Sequence, residues 1–248
     1  MTEKYFSERR SCRLFNAEEP DFNTIEEIII KACKAPTCGN MQLYSVIVTK
    51  ASEMKTKLAA LHYNQPASQA PLILTICADF NRFTKWCESK GAKSGFNNFH
   101  SFLTAVTDAV ILAQQIVTIA EMKGFGTCYL GTVTYNAQEI SQLLNLPDLV
   151  VPVASLAIGI PSEAGEETNR IPLKGIIHNE LYKDYTSEEI KEIYSVHDND
   201  KNNEKFIQEN KKENIAQVFA EVRYPKEMNE ALSEKFMKLL KDKGFINN

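Results

Sequence analysis

The sequence lacks the short motifs by which several enzyme classes are recognised. It contains no Cys-x-x-Cys pair, no His-Glu-x-x-His and no Gly-x-Ser-x-Gly, so the common zinc sites and the serine-hydrolase elbow have no support. A P-loop is also missing. The one glycine-rich stretch, residues 124–132, fails Gly-x-Gly-x-x-Gly because Tyr129 stands where the third glycine is required. These absences argue against nucleotide binding by a P-loop or by a Rossmann fingerprint.

Basic charge and long apolar runs are also scarce. The 28 Lys and Arg residues are outnumbered by 32 Asp and Glu residues, which gives a net charge of −4 and a pI near 5.7, so nucleic acid is an unfavourable partner. No stretch reaches the roughly 18 consecutive apolar residues of a membrane span. The N-terminal residues show no apolar segment behind their charges. We therefore expect a cytoplasmic protein that binds neither nucleic acid nor membrane.

The cysteines and histidines form no recognisable metal site. Three of the six cysteines, Cys33, Cys77 and Cys128, lie in apolar stretches, where free cysteine behaves as a small hydrophobic residue. The four histidines are scattered along the chain. The sequence predicts neither a disulfide framework nor bound metal.

Hydrophobic periodicity predicts helices and strands along the first 160 residues and one amphipathic helix near the C-terminus. An apolar run at 72–79 is typical of a strand buried on both faces, whereas residues 81–98 show no period and are predicted to be a loop or a short mobile helix. Asn23 or Thr24 is expected to cap the first helix, and Asn136 with Glu139 to form a capping box. The predicted helices are 24–35, 52–61, 99–123, 136–146 and 226–243, and the strands are 45–49, 72–79, 125–130 and 150–160.

Two segments offer side chains for ligand binding. In an extended segment Arg9, Ser11 and Arg13 would point to one side, where two guanidinium groups and a hydroxyl could bind a phosphate dianion, although a solvated basic stretch is the more common meaning of such a charge run. The loop at 36–42 supplies hydroxyl, thiol and carboxamide groups that could bind a heteroaromatic ring or form an ordinary turn. No side-chain nucleophile or carboxylate pair stands out, so an enzyme of this kind would need a cofactor.

Together these segments resemble the nitroreductase family of flavin-dependent oxidoreductases, in particular its larger branch of NADPH-type, oxygen-insensitive nitroreductases and flavin reductases. The resemblance extends from about residue 5 to residue 182. It rests on matches, in family order, at the following places: Arg9-Arg10-Ser11-Cys12-Arg13-Leu14-Phe15, Pro36-Thr37-Cys38-Gly39-Asn40-Met41-Gln42, Cys77-Ala78-Asp79-Phe80-Asn81-Arg82, Gly126 to Gly131, Leu143 to Pro147, and Gly159-Ile160-Pro161.

The resemblance implies an α+β fold, with a central mixed or antiparallel sheet flanked by helices. It also implies an intertwined homodimer with FMN at each of two subunit interfaces. The expected division is a core of residues 1–182 and a C-terminal extension of residues 183–248 that packs on the core or on the partner subunit.

The resemblance further implies which residues hold FMN. The phosphate and the edge of the ring are expected to be bound by Arg9, Arg10, Ser11 and Arg13, and the phosphate also by Arg170. The ring is expected to contact Asn64 or Gln65 and the backbone of Tyr129, Leu130 and Gly131, with the following residues arriving from the other subunit: Thr37, Cys38, Asn40 and Gln42.

The implied activity is NAD(P)H-dependent reduction of nitroaromatics, quinones or similar small acceptors by ping-pong hydride transfer through flavin N5, without a catalytic side chain. The alternatives are a relative with another flavin reaction, such as reductive dehalogenation or flavin breakdown, and a non-catalytic FMN carrier or sensor.

Three departures from the family pattern bear on this expectation. Thr168 stands where the family often has lysine, and Thr132 where it often has a second glycine. Residues 197–201 are acidic where NADPH users of this branch carry basic residues, so NADH is expected to be at least as good a donor as NADPH.

Overall fold

The structure is a computed structural model that describes residues 3–50 and 53–246. The chain forms two compact units. One unit extends to Glu166 and resumes at Glu234, and the other is Glu167–Ser233. The division at residue 182 that the sequence suggested stays a prediction.

The first unit is built on an antiparallel sheet. Its inner strands, β2 and β4, are almost entirely buried because other elements cover both of their faces. This confirms the central position predicted for residues 72–79. Within the described residues the strands lie in the order β1-β2-β4-β3, and their bounds are β1 Tyr44–Lys50, β2 Leu72–Asp79, β3 Gly126–Tyr129 and β4 Val150–Gly159.

Helices of the first unit pack on this sheet, which confirms the predicted α+β class. The aperiodic region 81–98 is helical only in its first half, where α4 forms, and continues as a loop. The helices are α1 Glu3–Glu8, α2 Phe22–Ala32, α3 Glu53–Leu61, α4 Asn81–Ser89, α5 Phe99–Met122 and α6 Ala137–Leu143. The predicted start of the third of these, Ser52, lies outside the described residues.

Two predicted helix caps are wrong. α2 begins earlier than expected, and its cap is Asp21, whose carboxylate accepts the backbone N–H of Thr24 at 3.1 Å. Asn136 does precede α6, but its side chain caps nothing and instead donates to the Leu61 carbonyl at 2.6 Å. A tertiary contact has replaced the local capping box there.

α5 is the central helix of the first unit. One face packs on the sheet and on α2 and includes the buried residues Ala109, Leu112 and Ile116. The helix is long and apolar enough to cross a membrane by length and composition, and it is the only described helix with that property. Its place beside the sheet identifies it as a core helix.

The second unit is helical. Thr186 and Glu189 form a capping box at the start of its first helix. Its helices are α7 Ser187–Asp198, α8 Lys201–Glu209, α9 Ile215–Gln217 and the beginning of α10 Lys226–Asp242. The remainder of α10 belongs to the first unit, where Leu239 and Leu240 join the core that contains Phe102 and Phe245.

Candidate functional site

The N-terminal basic segment, residues 9–13, lies alongside β3. The backbone N–H of Cys12 donates to the Thr127 carbonyl at 2.9 Å. Cys12 is buried, and a Cβ added to Gly126 would lie only 2.6 Å from the Cys12 Cβ, so the close approach requires glycine. Arg13 is exposed, as expected for alternating sides of an extended segment.

Arg9 is fixed by Glu121, near the C-terminal end of α5. The Arg9 Nε lies 3.3 Å from Glu121 Oε2, and the same carboxylate accepts the Tyr5 hydroxyl at 2.7 Å and the Thr127 hydroxyl at 2.5 Å. Burial and the hydrogen bond to Glu121 raise the pKa of Tyr5 to about 12. One acidic side chain therefore orients a guanidinium beside β3.

The other two arginines differ in what holds them. Arg10 donates to the Gly165 carbonyl at 3.4 Å. Arg13 has no hydrogen bond or ion pair within residues 3–50 and 53–246. It lies close enough to Cys128 to oppose, together with Arg9, the rise in thiol pKa that burial causes. Arg9 and Arg13 thus concentrate positive charge at β3.

The loop at 37–42 has an unusual backbone. Three of its residues adopt left-handed conformations, Gly39 with φ 54°, Asn40 with φ 56° and Gln42 with φ 54°. Two of these are not glycine, and such conformations concentrate at functional sites. The Gln42 amide folds back onto Asn40, donating to its carbonyl at 3.0 Å and to its Oδ1 at 3.1 Å. Both side chains remain exposed.

A buried carboxylate holds this loop in place. Asp108, in the middle of α5 and only 1% exposed, accepts the backbone N–H of Cys38 at 2.9 Å and of Leu43 at 3.1 Å. These bonds fix both ends of the loop and leave Thr37 partly exposed and Cys38 exposed. The predicted ligand groups are therefore presented at the surface from a rigid base.

The basic segment and the 37–42 loop are far apart within one chain. Their anchors, Glu121 and Asp108, are 13 residues apart on α5, which corresponds to about 20 Å along the helix axis. The structure does not bring these two sets of predicted residues together in a single protomer.

A third group forms where the turn at 62–65 meets residues 131–133. The Gln65 Nε2 donates to the Thr132 hydroxyl at 3.0 Å, and His62 Nδ1 lies 2.8 Å from the same oxygen. Tyr63 and Asn64 have φ values of 58° and 48°. Of the two candidates for the ring, Gln65 is half-buried and engaged by Thr132, and Asn64 is exposed.

His62 is the buried anchor of this turn. It is fully buried, and burial lowers its pKa to about 4, so the imidazole is neutral near pH 7. Its Nε2 has no hydrogen-bond partner in the described part of the chain.

Residues 129–131 connect this group to the sheet. Leu130 is buried and donates its N–H to the Ser155 carbonyl at 2.9 Å. Tyr129 is partly exposed, and burial raises the pKa of its phenol to about 12. A Cβ placed on Gly131 would meet nothing within 4 Å. The backbone at Gly131 therefore borders open space in which a flat ring could lie.

Arg170 belongs to the second unit. Its guanidinium donates to the Thr168 hydroxyl at 2.6 Å and to the carbonyls of Thr168 and Asn169 at 3.0 and 3.1 Å. Thr168, which stands where the family often has lysine, thus contacts Arg170 directly.

Sequence reasoning missed the groups that hold these residues. Asp108 lies three residues after Ala105 and four before Leu112, within the buried stripe of α5. An acidic residue in an apolar stripe is the signal that could have identified it. Glu121 follows Val117 by four residues in the same way. No group of three potential metal ligands occurs within the described ranges.

Comparison with known proteins places the chain among flavin enzymes. Residues 6–160 match the model of the nitroreductase family. The chain is 31% identical over 196 residues to a Cr(VI) reductase of Pseudomonas sp. strain G-1, which covers 79% of this chain and 81% of that protein. It is also 32% identical over 191 residues to an FMN reductase (NAD(P)H) of Bacillus subtilis strain 168, covering 72% and 73%.

Solved structures extend the similarity to nearly the whole chain. A protein of Bacteroides fragilis NCTC 9343 matches with a TM-score of 0.96 and 42% identity, covering 98% of this chain and all of that one. The match includes both units and the C-terminal helix, beyond the residues that the family model covers.

Proposed function

Because the chain belongs to the nitroreductase family, we propose that it is a cytoplasmic enzyme that uses NADH or NADPH and FMN to reduce nitroaromatics, quinones or similar small acceptors. It is an NAD(P)H-dependent flavin oxidoreductase with FMN as its cofactor. The acceptor, the subunit arrangement and the residues that contact FMN are the proposed part.

The single observation that carries the site assignment is the pair of arginines at β3. Arg9 is oriented by Glu121, and Arg13 is exposed with no partner in the part of the chain that the structure describes. The Glu121 carboxylate carries a single negative charge and pairs with Arg9 but not with Arg13. A phosphate dianion has enough charge and enough acceptor oxygens to bind the guanidinium groups of both Arg9 and Arg13. Arg10 and Ser11 are proposed to complete this phosphate site, and the role of Arg170 stays a prediction from the resemblance.

The ring of FMN is proposed to lie beside Gly131. A Cβ added to Gly131 would meet nothing within 4 Å, which leaves its backbone open to close approach by a flat ring, and the half-buried Gln65 amide lies at the adjoining turn. A mixed edge of donors and acceptors suits the pyrimidine part of a flavin. Asn64 is the alternative contact on the same turn.

The loop at 37–42 is proposed to act on the cofactor of a second copy of the chain. Within one chain its anchor lies about 20 Å along α5 from that of the basic segment, so a homodimer is needed for both to reach one FMN. The outer face of α5 carries the exposed apolar side chains Leu103, Val110 and Met122, which a partner subunit would cover. Thr37, Cys38, Asn40 and Gln42 would then arrive in trans.

When bound, FMN would supply the redox chemistry, which is proposed to be ping-pong hydride transfer through flavin N5 between the nicotinamide and the acceptor. The residues of the chain bind and orient. Arg9 and Arg13 provide positive charge, and Gln65 and the Gly131 backbone place the ring. His62 is neutral because its pKa is about 4, so it is not a cationic acid near pH 7.

The acidic stretch at 197–201 favours NADH at least as much as NADPH. Asp200 caps α8, accepting the Asn202 N–H at 3.0 Å, and also accepts from Asn169 at 3.3 Å. A carboxylate in this place repels the 2′-phosphate that distinguishes NADPH.

The test begins with the absorption spectrum of the purified protein, followed by anaerobic titration with each nicotinamide. We expect a flavin spectrum that NADH or NADPH bleaches, and reoxidation by a nitroaromatic or a quinone. Bound flavin that neither nicotinamide reduces would favour a carrier or sensor. Turnover of a halogenated aromatic, but of no nitroaromatic or quinone, would assign reductive dehalogenation instead.

A further inference from the structure

Thr132 makes a contact that the family pattern does not supply, because glycine is common at this position. Its hydroxyl oxygen lies 2.8 Å from His62 Nδ1 and 3.0 Å from Gln65 Nε2. A threonine hydroxyl has two acceptor lone pairs and a single proton to donate. Gln65 can only donate through its Nε2, so one lone pair is occupied.

The protonation of His62 decides what happens to the hydroxyl proton. If Thr132 donated to Nδ1, the imidazole proton would be on Nε2, which is buried and has no partner in the described ranges. A buried N–H without an acceptor is rarer in proteins than a buried acceptor without a donor. The favoured tautomer therefore carries its proton on Nδ1 and donates it to Thr132.

In this tautomer both lone pairs of the Thr132 oxygen are occupied, by His62 and by Gln65. The hydroxyl proton must then find an acceptor elsewhere. Thr132 is partly exposed and follows Gly131, whose Cα borders open space. The hydrogen bonds of the described residues include no acceptor for this proton, which leaves it available for a group in the space assigned to the flavin ring.

We propose that Thr132 is a cofactor-contacting residue that donates its hydroxyl proton to an acceptor atom on the edge of the FMN ring, with His62 and Gln65 as the positioning residues that orient it. The inference rests on the proposed function. Reduction increases the electron density of the flavin ring, so a fixed donor binds the reduced form more tightly than the oxidised form and raises the midpoint potential.

The tautomer can be tested without any cofactor. In protein labelled with ¹⁵N-histidine, the Nε2 of His62 should show the shift of an unprotonated ring nitrogen near pH 7, with the signal assigned by its loss in His62→Phe. A protonated Nε2 would overturn the inference whether or not FMN binds.

The role of the Thr132 hydroxyl as a donor is tested by measuring the FMN dissociation constant and the flavin midpoint potential of holoenzyme variants. Thr132→Val should weaken FMN binding about tenfold and lower the potential, and Thr132→Ser should restore both. A loss ten times greater for reduced than for oxidised FMN corresponds to about 30 mV for a two-electron couple. Thr24→Val is the matched control, since its hydroxyl donates to Asp21 at 3.2 Å at the start of α2 and contacts neither the proposed FMN site nor His62 and Gln65.

A double-mutant cycle separates a direct contact between Thr132 and FMN from an indirect effect of Thr132 through Gln65, to which it is hydrogen-bonded. If Thr132 contacts FMN itself, Thr132→Val should lower the potential further in a Gln65→Ala background. No further change in that background would overturn the inference, because Thr132 would then act only through Gln65. Wild-type protein that binds no FMN would instead overturn the proposed function.

Discussion

Both halves of α5 carry an acidic side chain that holds a neighbouring segment, but the two carboxylates hold different kinds of group. Asp108 accepts two backbone N–H groups and fixes the shape of the 37–42 loop. Glu121 accepts three side chains and fixes the direction of a charge, that of Arg9. The first carboxylate is a structural support, and the second is part of the electrostatics of the proposed phosphate site.

A third anchor, His62, differs from both. It is neutral, and it holds the 62–65 turn through Thr132. Loss of Asp108 should therefore appear in stability, loss of the arginines or Glu121 in cofactor binding, and loss of His62 in both, because His62 also positions Thr132. The following four changes test this distinction.

Replacement of Asp108 should have the largest effect on stability. Asp108→Ala leaves the N–H groups of Cys38 and Leu43 without their acceptor in a buried place, which should reduce the free energy of unfolding by about 4 kcal/mol. Asp108→Asn keeps one acceptor oxygen and should lose about half as much. Urea denaturation measures both. Asp148→Ala, an exposed carboxylate, is the control, and an equal loss there would refute the assignment.

Acid should release the His62 anchor. Its pKa is about 4 in the folded protein and about 6.5 when unfolded, so the unfolded chain binds the extra proton between these values. The stability that neutral His62 contributes is complete above pH 6.5 and is lost as pH falls through 4, by up to about 3 kcal/mol. Urea denaturation of wild type and His62→Gln at pH 7, 5.5 and 4.5 measures the difference, and parallel pH profiles would contradict it.

Periodicity predicted much of the fold because the helices and strands of the first unit bury regular apolar patterns. The 72–79 strand and α5 were found in this way, and Gly124 ends the α5 pattern with φ 89°. Local capping was less predictable. Asp21 is the cap two residues before the predicted Asn23, because Asp, Asn and Thr are almost interchangeable at this position.

The candidate site was predictable only where residues close in sequence act together. The arginines at 9–13 and the loop at 36–42 could be recognised as clusters. Glu121 and Thr132 could not, because their contacts join positions 112 and 70 residues away, to Arg9 and His62 respectively. Only the folded chain shows that these residues orient the groups that the motifs supply.

Removal of Arg13 should affect cofactor binding and leave stability unchanged. Arg13→Ala removes an exposed guanidinium from the proposed phosphate site, and a charge-assisted bond of about 2 kcal/mol corresponds to a loss of about thirtyfold in FMN affinity. Fluorescence titration of apoprotein with FMN measures the affinity, and thermal unfolding of the apoprotein checks the fold. Lys57→Ala is the matched control on an exposed helix face. Wild-type affinity in Arg13→Ala would remove Arg13 from the site.

The smallest effect is expected for Glu121→Gln, which tests whether Glu121 orients Arg9 toward the phosphate or only neutralises its charge. Glu121→Gln keeps an oxygen for the Tyr5 or Thr127 hydroxyl but removes the charge that holds Arg9. If Glu121 orients Arg9 toward the phosphate, FMN affinity should fall about threefold, and the Tyr5 pKa should move from about 12 toward its ordinary value, since a lost carboxylate charge favours the phenolate. Glu8→Gln, which removes an exposed charge of the same segment, should change neither quantity. Tighter FMN binding in Glu121→Gln would mean that the carboxylate competes with the phosphate for Arg9. Glu121 would then not assist phosphate binding, and its proposed difference in role from Asp108 would be wrong.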